Sequence, residues 1–152
     1  MKLITVATHN DGYFKWLKQS CELYHYELNV LGYGEKWQGF NWRLQKLLTF
    51  LKRLEPHEIV CCIDAFDVIM LRDSSFITKK FREIHMREKC KIIIAKEVKD
   101  KIDELWGNWQ FGININAGTY IGYAKDIIDV LQKAQQINNK PEADDQILLG
   151  NI

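Results

Sequence analysis

Proline is nearly absent, with two residues in 152, and no repeat, low-complexity tract or linker breaks the chain. With 47% hydrophobic and 27% charged residues, this excludes a disordered polymer. A single domain over residues 1–152 is expected, since one core fills at about 100–150 residues. No apolar run approaches the roughly 20 residues of a membrane-spanning helix. The opening Lys2-Leu3-Ile4-Thr5-Val6-Ala7 is too short for a signal h-region. The expectations are therefore no membrane partner and a cytoplasmic location. An excess of charge is also missing. Lys plus Arg number 21 against 20 Asp plus Glu, so no global field gathers nucleic acid. The four cysteines lack CxxC or Cys/His spacing, which removes a zinc site. Cys61 and Cys62 are adjacent in an apolar run and point to opposite faces of a strand as buried free thiols. GxGxxG and a GK[ST] ending are absent, so dinucleotide and P-loop readings fail.

What is present is an alternation of strands and helices. Leu3–Ala7 reads as a buried strand. A helix follows with Phe14, Leu17, Cys21 and Tyr24 on one face and Asp11 as candidate N-cap. Tyr26–Leu31 is a second strand, ended by Gly32-Tyr33-Gly34. The next helix carries Leu44, Leu47, Leu48, Leu51 and Leu54 and is closed by Pro56. Ile59–Ile63 is apolar throughout, as in a central strand covered on both sides. Asp73 or Ser74 caps a helix with Phe76, Ile77, Phe81 and Ile84, and Lys91–Ala95 is another strand. Lys96–Gln110 reads as a long loop. Gly112–Asn116 and Thr119–Ala124 look extended, Asp126–Ile137 helical, and Pro141–Leu149 begins a last helix. This order predicts an α/β fold with a mostly parallel sheet between helices, and ligands outside the carboxyl ends of the strands.

Asp64-Ala65-Phe66-Asp67 occupies such an end. Two carboxylates at the mouth of an apolar strand call for a cation or for turn hydrogen bonds. Oxygen ligands suit Mg²⁺ or Mn²⁺, which join carboxylates to substrate phosphates. The other choice is one aspartate in a turn and the other in solvent. Phe66 can lie against a base or pack in the core. Asn116-Ala117-Gly118 is either a tight turn or a site where backbone approaches a sugar. Asp144 and Asp145 are either hydroxyl ligands or helix-dipole partners. Lys46 and Trp37 read by themselves as an exposed helix lysine and a loop anchor.

Taken in order, Val6-Ala7-Thr8, Gly32-x-Gly-Glu-x-Trp37, Gln45-Lys46, Asp64-x-x-Asp67, Asn116-Ala117-Gly118 with Ile121-Gly122, and Asp144-Asp145-Gln146 resemble the glycosyltransferase domain of the procollagen lysyl hydroxylases and related stand-alone and viral proteins. The resemblance spans nearly the whole chain. It implies a GT-A-like, Rossmann-like three-layer sandwich and Mn²⁺- or Mg²⁺-dependent transfer of glucose or galactose, with retention, from a UDP-sugar. The implied acceptor is a glycan or a hydroxylysine-type protein such as collagen. It makes Asp64 and Asp67 metal ligands. Thr8, Trp37, Lys46, Phe66 and Gly118 become contacts to the donor, with Phe66 where the family usually has tyrosine. Asp144, Asp145 and Asn116 become the catalytic set. Glu97 aligns loosely with a family glutamate, and Trp106 and Trp109 are candidate lid residues. Two departures are expected to matter. The family's metal-binding histidine beyond Asp-Asp-Gln has no counterpart among His9, His25, His57 and His85, and the acidic run before Asp-Gln is missing. The chain is thus expected to be C-terminally short relative to the family, with a non-catalytic UDP-sugar-binding module as the alternative. Oligomeric state is left open, a homodimer included. An aspartate-nucleophile phosphatase and a sugar nucleotidylyltransferase rank behind, because the first strand ends in Ala7-Thr8 without the aspartate or glycine-rich loop each needs.

Overall fold

The computed structural model describes residues 1–96, 115–140 and 143–152. Glu97, Trp106 and Trp109, with most of the expected Lys96–Gln110 loop, lie outside these residues, as do Gly112–Asn114, Pro141 and Glu142.

Five strands and five helices are described: β1 (Lys2–Val6), α1 (Phe14–Leu23), β2 (Leu28–Leu31), α2 (Phe40–Leu51), β3 (Ile59–Ile63), α3 (Ser74–Glu88), β4 (Ile92–Lys96), β5 (Ile115–Tyr123), α4 (Ala124–Ile137) and α5 (Asp145–Gly150). The sheet order is β2-β1-β3-β5-β4. β1 pairs in parallel with β2 and β3, whereas β5 runs antiparallel to both β3 and β4. Four strands therefore point one way and β5 alone is reversed.

β3 is buried at every position, as its unbroken apolar run requires. The two cores divide its side chains by parity. Val60 and Cys62 join Ile4, Val6 and Tyr120 beneath the apolar stripes of α2, α4 and α5. Cys61 and Ile63 join Leu3, Ala7 and the Phe14, Leu17 and Cys21 stripe of α1. Helices thus cover both faces, giving the three-layer α/β sandwich consistent with a GT-A-like domain. Cys61 and Cys62 do face opposite ways, and all four cysteines are free.

Local readings differ at three points. Asp11 does not cap α1: its carboxylate accepts from the Gly12 N–H at 2.8 Å, and the helix begins after Tyr13 without a side-chain cap. Within the described residues the chain around Gly118 is one strand, β5, from Ile115 to Tyr123, with an irregularity in place of a break. Ile94 pairs with Tyr120, but Ala95 pairs with Asn116, so Ala117, Gly118 and Thr119 have no partner on β4. The last helix starts at Asp145, where Asp144 caps it. Asp73 caps α3 by accepting from the Phe76 N–H at 2.9 Å.

Candidate active site

The reversal of β5 brings its first residues to the carboxyl end of β3. Ile63 pairs with Thr119, and one step further the Asp64 N–H donates to the Gly118 carbonyl at 2.7 Å. The unpaired stretch of β5 thereby lies against the first aspartate. A Cβ on Gly118 would stand 2.3 Å from Asp64 Oδ2 and 2.8 Å from Asn116 Oδ1. Only glycine leaves room for both side chains. Asn116 closes the turn by accepting the Gly118 N–H at 2.8 Å, and Gln146 Oε1 reaches the Ala117 N–H at 3.4 Å.

A cleft of about 350 Å³ opens here, lined by Thr8 and His9 after β1, Trp37 before α2, Phe40 and Arg43 on α2, and Asp64, Phe66 and Asp67 after β3. Its floor is the end of the sheet. One wall is aromatic: His9 stacks on Phe66 with ring centroids 5.0 Å apart, and Thr8 Oγ1 lies 2.7 Å from His9 Nδ1. Opposite, Trp37 meets Phe40 and Trp42 edge-on at 5.6 and 5.5 Å. Gly32, at φ +76°, lets the loop carrying Trp37 close onto α2, because a side chain there would meet Trp42 at 2.6 Å.

The other wall is charged. Arg43 reaches Asp64 Oδ1 at 2.6 Å and Asp145 Oδ2 at 3.4 Å, with side-chain exposures of 11% for Arg43, 35% for Asp64 and 7% for Asp145. Its Nη2 also points to the Ala117 carbonyl at 3.5 Å. Burial disfavours the guanidinium charge, but Asp64 and Asp145 more than offset this and hold Arg43 protonated. Burial pushes the Asp145 carboxyl up to about 6, against the opposing pull of Arg43. Asp67 is also shifted above the usual carboxylate range, first by burial and then by the charge of Asp64. Below the site Tyr120 is buried with its hydroxyl beside the Cys62 thiol. Burial raises that phenol well above its ordinary value.

The structure therefore gathers Thr8, Trp37, Phe66, Asp64 and Asp67 around one cleft, with Asn116, Gly118 and Asp145 at its charged margin. Two expected residues stand apart. Lys46 lines a neighbouring groove, where it pairs with Glu35 at 2.6 Å and lies over the Trp42 ring at 5.3 Å. Asp144 accepts from the Gln146 and Ile147 N–H groups at 2.8 and 3.2 Å, the geometry of an N-cap. His9 and Arg43 were not legible as site residues. For Arg43 a signal existed: it lies four residues before Leu47 and so shares the apolar face of α2, where an unpaired cation would be costly.

The donor chemistry fits a hard divalent cation. Asp64 and Asp67 present carboxylate oxygens to the cleft, the ligand type such a cation takes, and Asp67 is raised first by burial and then by the charge of Asp64. Among the described residues no group of three or more His, Cys, Asp or Glu side chains could hold a metal.

A family model described as PLOD GT domain matches residues 1–152. A multifunctional procollagen lysine hydroxylase and glycosyltransferase of Caenorhabditis elegans is 30% identical over 95% of this chain and 21% of its own length. A procollagen-lysine,2-oxoglutarate 5-dioxygenase of Drosophila melanogaster is 28% identical over 100% of this chain and 22% of its own. The human multifunctional procollagen lysine hydroxylase and glycosyltransferase LH3 is 26% identical over 99% and 21%. The chain thus spans about a fifth of the length of these curated relatives.

Proposed function

The chain belongs to the PLOD GT domain family, and from that premise we propose that it transfers a sugar, glucose or galactose, from a UDP-sugar to a hydroxyl acceptor of the hydroxylysine type. The observation that carries this reading is the grouping of Thr8, Trp37, Phe66, Asp64 and Asp67 around one cleft at the carboxyl ends of β1 and β3. Its aromatic wall suits a nucleobase and ribose, and its carboxylates suit a cation-bound diphosphate.

In this reading Asp64 and Asp67 hold Mn²⁺ or Mg²⁺, which when bound offsets negative charge on the departing diphosphate. Thr8 and the His9–Phe66 shelf receive the base, while Trp37 shields the ribose side from water. The sugar lies toward Gly118 and Asn116. There the absent Cβ permits close approach, and the Asn116 amide can bond a hydroxyl. The acceptor oxygen bonds to the anomeric carbon as the bond to the diphosphate breaks, and the hydroxyl proton passes to the departing phosphate oxygen. Asp145, held by Arg43, stabilises the positive charge developing at that carbon.

The test is titration of UDP into the purified protein with and without Mn²⁺, followed by a transfer assay with UDP-glucose and UDP-galactose on galactosyl-hydroxylysine and hydroxylysine peptides. Asp64→Ala is expected to abolish the Mn²⁺-dependent part of UDP binding. Binding unaltered by that substitution sinks the metal assignment. A second reading, a UDP-sugar-binding module without turnover, is favoured by the occupation of Asp64 Oδ1 by Arg43. Tight binding with no transfer to any acceptor selects it.

A further inference from the structure

Arg43 is in contact with the first proposed cation ligand, Asp64, at 2.6 Å, and none of the sequence motifs includes it. We propose that Arg43 is a positioning residue that fixes the Asp64 carboxylate for the cation by clamping it to Asp145 across the ends of β3 and α5. This assignment rests on the cation site proposed above.

The carboxylate of Asp64 stands at a strand end, partly open to the cleft, and its orientation is set from three sides. Arg43 Nη2 takes Oδ1 at 2.6 Å, Oδ2 fills the space left by Gly118, and the Asp64 N–H is tied to the Gly118 carbonyl at 2.7 Å. The guanidinium is itself located by the first turn of α2, where the Arg43 N–H bonds the Gly39 carbonyl at 3.2 Å, and by Asp145 at 3.4 Å. A planar fork reaches two carboxylates at once, whereas a lysine ammonium is a point charge. Stability alone does not explain the triad. Buried ion pairs rarely outperform apolar residues of similar volume, and here one partner opens onto the cleft. What the clamp provides is a ligand with one oxygen already committed, so that its remaining coordination direction is fixed before a cation arrives.

The test uses Arg43→Met combined with Asp145→Asn. One cation and one anion go together, so the net charge of the site is unchanged and no buried carboxylate is stranded. UDP is titrated calorimetrically into wild type, this double variant and Arg43→Lys, each with and without Mn²⁺, and Mn²⁺ alone is titrated by its electron paramagnetic resonance signal. The expected result is that the affinity gained from Mn²⁺ falls about tenfold or more in the double variant and less in Arg43→Lys, a larger loss than any in metal-free UDP affinity. An undiminished Mn²⁺ gain overturns the proposal. So does an equal loss with and without Mn²⁺, which assigns Arg43 to packing alone. If the double variant does not fold, Arg43→Lys decides: a reduced Mn²⁺ gain supports the clamp, and an unreduced one overturns it. Wild-type protein that binds UDP without any Mn²⁺ dependence instead overturns the cation reading, and this assignment with it.

Discussion

Gly118 and Asp64 occupy one another's space, and the consequence can be measured. Gly118→Ala would place a methyl group 2.3 Å from Asp64 Oδ2, so either the carboxylate turns away or β5 moves. The expected cost is about 1–3 kcal/mol in urea unfolding, the usual range for overpacking, together with loss of Mn²⁺-dependent UDP binding. In an Asp64→Ala background the same substitution is expected to cost less, because the closest contact is gone and only Asn116 Oδ1, at 2.8 Å, still stands in the way; a full double-mutant cycle checks this. From sequence, Asn116-Ala117-Gly118 reads either as a tight turn or as a place where backbone approaches a sugar. The structure seats the Asp64 side chain against that glycine. Spacing puts Arg43 on the apolar face of α2, but which carboxylates answer it is settled only when partners 21 and 102 residues away are folded beside it.

At the level of elements, α5 is short and depends on its cap. Asp144 closes two N–H groups of its first turn, and that turn carries Asp145 and Gln146 into the site. Asp144→Ala is expected to lower stability by about 1 kcal/mol and to weaken UDP-sugar turnover indirectly, whereas Asp144→Asn keeps the cap and with it the stability. Turnover lost in a stable Asp144→Asn protein, measured beside its melting curve, would instead assign the carboxylate a chemical role. Helices α1, α2 and α4 were readable because apolar residues recur at helical spacing, and β3 because its apolar run has no alternation. Strand direction was less accessible. The residues of β5 have the same pattern whichever way they run, and only pairing with β3 and β4 makes the strand antiparallel. That direction is what carries Asn116 and Gly118 to Asp64.

Across the whole molecule the two cores meet back to back through β3, and its thiols report on both. Burial pushes Cys61 and Cys62 to about 12 and Cys21 to about 11, so these sulfurs are neither ionised nor accessible in the native state. Cys90 is only partly buried. Ellman's reagent is expected to react promptly with one thiol at pH 8 and with the other three at the rate of unfolding. Prompt reaction of all four would contradict this packing. The division of Cys61 and Cys62 between faces is legible in sequence, since strand parity is a local property.

The placement of β5 also orders events in time. β1, β2 and β3 can pair once residues up to Ile63 exist, but one edge of β3 stays bare, and β4 lacks its neighbour, until residues 115–123 have been made. Contacts this distant along the chain form slowly. Asp64 acquires its backbone partner Gly118 in that same closing step. A newly synthesised chain would therefore pass through a stage with most of its helices formed but its carboxylate cluster unassembled, and would become competent for ligand only as the sheet closes.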